Sequence, residues 1–315
     1  MIKGLLSLFL LLPAVAVAEE YEPLSVDVKA EQVSEHCWYV PGNAGTATQF
    51  EGFISNAGFV ITDEGVVVFD SLGTPALANA MLGEIRKLTD KPIVKVVVSH
   101  YHADHVYGLQ VFKEAGAEIV SPGEAFEYID SDVGRNRLDE RRVSLFPWVN
   151  DETNLVSPDS TVTDNSSFTL GGIDFEIVYL GKAHSDGDLA LLVKQDKVLY
   201  SGDIIFEGRV PFVGNADTKS WLEKLEAMET EELEALIPGH GPAATDPKQA
   251  ISGTRSYLAY LRQKMGEGVE EFMEFAEVYD SVDWSEFDHL PAFSSANRIN
   301  AYGVYLSLEK ELLEE

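Results

Sequence analysis

The sequence predicts an α/β fold in which two packed mixed β-sheets are flanked by helices, an αββα sandwich. Three observations carry this. Residues 36–70 hold short apolar runs separated by turn-forming residues, the pattern of antiparallel strands. Residues 66–120 then alternate strand, helix, strand, helix, and residues 167–237 repeat the theme as strands followed by a helix. A sheet must bury a face, so two such halves are expected to pack sheet on sheet with helices outside.

The elements follow in order. Phe53-Ile54, Gly58–Ile61 and Val66–Phe69 are short apolar runs, the last two joined by Thr62-Asp63-Glu64-Gly65. Residues 75–90 place Leu77, Met81, Ile85 and Leu88 at helical spacing, with Thr74 or Ser71 as cap. The β-branched run Ile93–Val98 reads as a buried strand, followed by a short helix through Leu109 and Phe112 and a strand at 118–120. Residues 122–165 are polar, contain Pro147 and Pro158, and are expected to be an insertion. Further strands are expected at 167–170, 173–180, 189–193, 198–200 and 233–237, with a helix over 218–228. Apolar spacing through Ile251, Tyr257, Leu258 and Leu261 begins a helical stretch, continued by Phe272, Phe275 and Val278 and then by 299–313. Residues 19–246 are thus expected to form the main unit, and 247–315 a C-terminal helical segment.

Residues 1–18 read as a secretory signal. Lys3 precedes the apolar run Gly4–Val15, and Ala16-Val17-Ala18 is a small-residue cleavage site. The run is short for a membrane span. Export to a periplasm or beyond the cell is expected, without membrane attachment after cleavage. The chain carries 23 basic and 53 acidic residues, a net charge of −30. That charge argues against nucleic acid as a partner and leaves a small-molecule substrate as the expectation. Cys37 is the one cysteine, so no intrachain disulfide forms, and its apolar setting suggests a buried free thiol.

The chemistry is concentrated in Ser99-His100-Tyr101-His102-Ala103-Asp104-His105, directly after the buried strand. Imidazole and carboxylate are ligands for zinc and similar divalent ions. Three further segments place such groups behind strands and among glycines. They are Gly181-Lys182-Ala183-His184-Ser185-Asp186-Gly187-Asp188, Tyr200-Ser201-Gly202-Asp203 and Pro238-Gly239-His240-Gly241. Five of the seven histidines lie in this pattern. His36 and His289 do not, and read as ordinary residues.

These motifs, in this order, resemble the metallo-β-lactamase superfamily over roughly residues 36–245. The resemblance implies that superfamily's fold and two divalent ions, zinc first, with iron or manganese as alternatives. It assigns His100, His102 and His184 to one ion and Asp104, His105 and His240 to the other, with Asp203 between them. Asp70, at a strand end, would support the site. The implied activity is hydrolysis by a water shared between the ions, with Asp104 orienting it or carrying its proton. The β-lactamases of this fold follow other patterns: one has Arg at the position of His105 and Cys at that of Asp203, another lacks a ligand at Asp203. The complete set is similar to glyoxalase II and to exported sulfur-oxidation and quinoprotein-relay metallohydrolases, which points to a thioester or related acyl substrate. β-Lactam or lactone hydrolysis, phosphodiester or sulfate-ester hydrolysis, and a non-catalytic metal-binding role are the alternatives. Arg135, Arg137, Arg141 and Arg142 could hold an anionic substrate tail, or pair with Glu127, Asp132, Asp139 and Glu140 on a helix surface. Phe146 and Trp148 could line the same rim.

Overall fold

A computed structural model describes residues 21–228 and 232–314. The expected signal peptide, residues 1–18, lies outside the described residues. Seven strands form the first sheet, side by side in chain order: β1 Glu31–Gln32, β2 Cys37–Val40, β3 Ala57–Ile61, β4 Val66–Phe69, β5 Ile93–Val97, β6 Glu118–Pro122 and β7 Ser160–Val162. β1 to β4 pair antiparallel through short turns, and β4 to β7 pair parallel. Parallel neighbours need a crossover. Helix α1, Pro75–Leu88, supplies the first. Helices α2, Ala103–Val106, and α3, Leu109–Glu114, supply the second, and α4, Ala125–Ile129, and α5, Asp132–Ser144, fill the third. Thr74 caps α1, its hydroxyl accepting from the Leu77 amide at 3.2 Å, with Pro75 at the first helical position.

The second sheet has the order β12-β11-β10-β9-β8. Its strands are β8 Ser166–Leu170, β9 Ile173–Gly181, β10 Asp188–Val193, β11 Val198–Phe206 and β12 Ala235–His240. Only β11 and β12 run parallel, with α6, Thr218–Met228, between them in sequence. Helices α7 Pro247–Glu270, α8 Phe275–Ser281 and α9 Phe293–Glu314 complete the chain.

Side-chain alternation along the strands divides the apolar residues into three layers. Val66 and Val68 of β4 join Leu77, Met81 and Ile85 of α1 in an outer core. Val67 and Phe69 point the other way and meet Tyr200 and Leu191 between the sheets. Leu199 of β11 faces Trp221, Leu258 and Val304 in the second outer core. This period of two on both sheets is what makes four layers.

Three expectations change. Phe53-Ile54 is not a strand: residues 50–54 turn, and Phe53 is buried as a core plug. Residues 122–165 are not simply peripheral. Leu138, Leu145 and Val149 enter the first core, and β7 pairs with β6. Their apolar residues are sparse because one face of α5 alone is buried. Phe272 lies outside the helix expected around it. The chain turns there through φ 56°, and α8 begins at Phe275. Cys37 is buried as expected, and desolvation pushes its thiol up to about 12, which leaves it inert at neutral pH. Among the described residues no helix is long and apolar enough to cross a membrane.

The two sheets are locked by Tyr200 of β11. Its hydroxyl lies 3.1 Å from the carbonyl oxygens of both Trp38 and Phe59. Its ring passes over Gly58, where an added Cβ would come within 2.1 Å of the ring. Gly58→Ala is therefore expected to destabilise the protein by about 1–3 kcal/mol through overpacking. A denaturant titration checks this, and an unchanged midpoint would count against the lock.

Candidate metal centre

The strand ends meet on one rim. His100, His102, Asp104 and His105 leave the C-terminal end of β5 and enter α2, which presents Asp104 and His105 on its first turn. His184 sits on the turn between β9 and β10, and His240 ends β12. Asp203 was expected just behind a strand ending at Tyr200, but β11 runs on to Phe206. The register against β12 shifts around Gly202, which adopts φ +54°. That irregularity turns the Asp203 carboxylate into the site. Gly239 leaves room for it, since a Cβ there would lie 2.0 Å from Asp203 Oδ1.

All seven expected ligand residues come together, in two adjoining groups. One comprises His100, His102, His184 and Asp203, the other Asp104, His105 and His240, and within each group the ligand atoms lie within 4.8 Å of one another. Asp203 stands between them. Its Oδ1 is 3.1 Å from His105 Nε2, and its Oδ2 is 3.2 Å from His184 Nε2 and 3.3 Å from His240 Nε2. Asp104 Oδ2 is 3.3 Å from His240 Nε2. His184 Nε2 and His102 Nδ1 face each other at 3.0 Å. His100 Nε2, His105 Nε2 and Asp203 Oδ1 are buried without hydrogen bonds. Orphaned buried lone pairs are costly, and aimed at common points they fit divalent ions with nitrogen and oxygen ligands.

The opposite ring nitrogens are held by a second layer. Asp70 accepts from the Ser99 amide and hydroxyl, each at 2.7 Å, and lies 2.8 Å from His105 Nδ1. Ser99 Oγ in turn is 2.9 Å from His100 Nδ1. His240 Nδ1 lies 2.7 Å from the Ile54 carbonyl, and Asn56 donates to the carbonyls of Pro238 and Gly241 on either side of that histidine. Sequence reasoning singled out Asp70 but missed Ser99, Asn56 and Ile54. Ser99 adjoins the histidine cluster and could have been found by that adjacency. Asn56 has no sequence signal, because its partners lie more than 180 residues away.

The two groups differ electrostatically. Burial lowers the pKa of His100 and His102, and takes His184 down to about 3. Burial also opposes charge on His105 and His240, yet Asp203 and Asp104 outweigh it and raise both, with Asp70 adding to the effect at His105. Burial works against the carboxylates too, but the neighbouring histidines hold Asp104 and Asp203 below the usual range.

The four arginines divide. Arg135 pairs with Asp132 at 2.9 Å, Arg137 with Glu140 at 2.7 Å, and Arg142 with Asp139 at 2.9 Å and with the carbonyls of Asn150 and Thr153. The charge of Arg137 is nevertheless felt at His102, and those of Arg137 and Arg141 at Tyr107 and Tyr128. Arg137 and Arg141 are one turn apart on α5 and so share a face of that helix. Trp148 donates to the Pro23 carbonyl and Phe146 is 70% exposed. A further arginine, Arg209, lies buried beside His240, with Nη1 3.4 Å from its Nδ1. Nothing in its local sequence marked it.

Two predictions follow from this layer. Asp70→Ala should weaken metal binding by about 10–100-fold, read by competition with a chromophoric chelator; an unchanged affinity removes Asp70 from the support. Protons on His105 and His240 compete with a metal, whereas His100, His102 and His184 are already neutral. As pH falls the second group should therefore lose its ion first. Elemental analysis after dialysis should drop from two equivalents toward one as pH is lowered, before the remaining ion is lost, and simultaneous loss of both ions would contradict the asymmetry.

Comparison with known proteins agrees with this geometry. A metallo-beta-lactamase type 2 of Elizabethkingia meningoseptica is 26% identical over 244 residues, covering 76% of this chain and 88% of its own length. A linear primary-alkylsulfatase of Pseudomonas sp. (strain ATCC 19151) is 23% identical over 64% of this chain, which spans 44% of that relative. The solved structure of an inverting sec-alkylsulfatase of Pseudomonas sp. shares the fold, with a TM-score of 0.71 at 20% identity, over 89% of this chain and half of its own. The profile of the Metallo-beta-lactamase superfamily matches residues 51–240, a span that runs from the turn before β3 to His240, and the chain belongs to that superfamily.

Proposed function

We propose that the chain is a hydrolase that uses two divalent ions, zinc first, to cleave a thioester or a related acyl bond. The observation that supports this is Asp203, whose carboxylate touches both groups of imidazoles: Oδ1 faces His105 of one group, and Oδ2 lies between His184 of the other and His240. An isolated structural ion needs no such shared ligand. Bound there, the ions would supply Lewis acidity and a water that ionises at neutral pH.

The chain's own residues do the rest. His100, His102 and His184 are neutral and present ring nitrogens as ligands. Asp203 is 4% exposed and stays anionic. Asp104 differs, since its side chain is 22% exposed and so is the more accessible of the two carboxylates. It can take a proton from the attacking water and pass it to the leaving group. The water oxygen joins the acyl carbon, the acyl–sulfur bond breaks, and the proton ends on the departing thiolate. Arg137 and Arg141 are the arginines of α5 proposed to attract an anionic tail of the substrate, a reading supported by the charge of Arg137 being felt at His102.

A second reading is sulfate-ester hydrolysis, favoured by the alkylsulfatase likeness. At 89% of the chain it must take in part of the C-terminal helices. Metal-loaded protein tested in parallel on a glutathione thioester, a lactone, a β-lactam, an alkyl sulfate and a phosphodiester separates these. The thioester is expected to turn over fastest. Metal uptake with no turnover on any of the five would leave a binding protein. Asp104→Asn and His102→Ala should each abolish turnover while the circular dichroism spectrum stays native. Retained activity in either variant would sink the scheme.

A further inference from the structure

Arg209 is 9% exposed and lies in the connection between β11 and α6. Its closest polar contact is His240 Nδ1, at 3.4 Å from Nη1. That contact is not a hydrogen bond once the ring serves as a ligand through Nε2. The Nδ1 proton then goes to the Ile54 carbonyl at 2.7 Å, and a nitrogen that donates has no lone pair left for a guanidinium. Arg209 Nε is buried with no partner at all. Among the described residues the guanidinium pairs with no carboxylate. Its electrostatic support comes from Asp203 and Asp104 at longer range.

That support disappears when the site is loaded, because both carboxylates are then committed to the ions. A buried cation with unused donors would face two further cations. Such a charge is tolerated only when an anion completes it. Among the described residues no carboxylate is paired with it, and a substrate anion could supply that charge. A guanidinium presents a planar fork that matches carboxylate or sulfate oxygens.

The connection that carries Arg209 is clamped on both sides. The Phe206 amide donates to Thr254 Oγ1 of α7 at 3.0 Å, and the Glu207 amide to the His240 carbonyl at 2.9 Å. The Val210 amide donates to the Pro291 carbonyl at 3.0 Å. Asn300 of α9, fully buried, accepts from the Val213 amide at 2.9 Å and donates to the Pro211 carbonyl at 2.7 Å. The C-terminal helices therefore hold the backbone on which Arg209 stands.

We propose that Arg209 is a specificity-determining residue that binds an anionic oxygen group of the substrate beside the bond to be cleaved, and that α7 and α9 are the scaffold that aims it. This rests on the two-ion reading above. The ligand chemistry is an oxyacid anion, whether the sulfate of a sulfate ester or a carboxylate on an acyl substrate. Asn300 is a positioning residue.

The test uses the full metal-loaded chain. Metal content is measured first, so that a wild-type chain without two ions fails the two-ion reading on its own, and this proposal with it. Inorganic sulfate and acetate are then titrated by calorimetry at constant ionic strength. Wild type is expected to bind one of them, sulfate pointing to a sulfate ester and acetate to a carboxylate. Arg209→Ala should weaken that anion at least tenfold with metal content unchanged, and Arg209→Lys should restore part of the affinity. Asn300→Ala should weaken it by a smaller factor. With an anionic ester the Arg209 variants should raise KM, while KM for the neutral methyl ester of the same acid stays put, a split that a purely structural role would not produce. Wild-type anion affinity in Arg209→Ala overturns the proposal, as does a wild type that binds neither anion. If Arg209→Ala does not fold, unchanged anion affinity in both Arg209→Lys and Asn300→Ala overturns it.

Discussion

Asp70 ends β4 with a buried carboxylate and a left-handed backbone, φ 62°. Its oxygens accept from Ser99 and lie 2.8 Å from His105 Nδ1, and Ser99 reaches His100. One carboxylate thereby orients a ring in each of the two ligand groups. It can do so because β4 and β5 are parallel neighbours whose C-terminal ends lie side by side. The crossover helix α1 that makes them parallel is thus part of the chemistry. Without the bond to Asp70, the ring of His105 would lack a fixed tautomer, and its free nitrogen would have no fixed direction.

The site assembles negative and positive charge in the interior of a protein whose surface is strongly acidic. Burial disfavours every charged form there, so each charge survives by contact with its opposite. The consequence is an uneven centre. In one group burial favours neutral histidines, and in the other the carboxylates favour the protonated form of His105 and His240. Arg209 is the exception, a buried cation whose nearest neighbour offers it no acceptor. The C-terminal helices are joined to the connection at residues 206–213, which carries Arg209, through Thr254, Pro291 and Asn300.

Much was legible in the sequence because it was local. The Ser99–His105 motif, the cap at Thr74, the short apolar runs of β4 and β5 and the helical spacing of α1 and α7 all involve residues a few positions apart. Backbone geometry alone relates such neighbours. Mistakes arose where short apolar runs had another use. Phe53-Ile54 looks like a strand but is a turn whose aromatic ring plugs the core, and whose Ile54 carbonyl is needed by His240. The sparse apolar residues of 122–165 hid a helix that buries a single face.

By itself, then, the chain's order of residues determined the layer architecture, the seven candidate ligands and the strand ends that carry them. The division of those ligands into two groups around Asp203 was implied by the family resemblance of the motifs, and the folded chain brings the groups together. Tertiary structure alone brought Asn56 and Arg209 to the centre. The physical reason is distance along the chain. A hydrogen bond such as Asn56 to Gly241 depends on two sheets packing face to face, and no local pattern encodes a contact that exists only after they have packed.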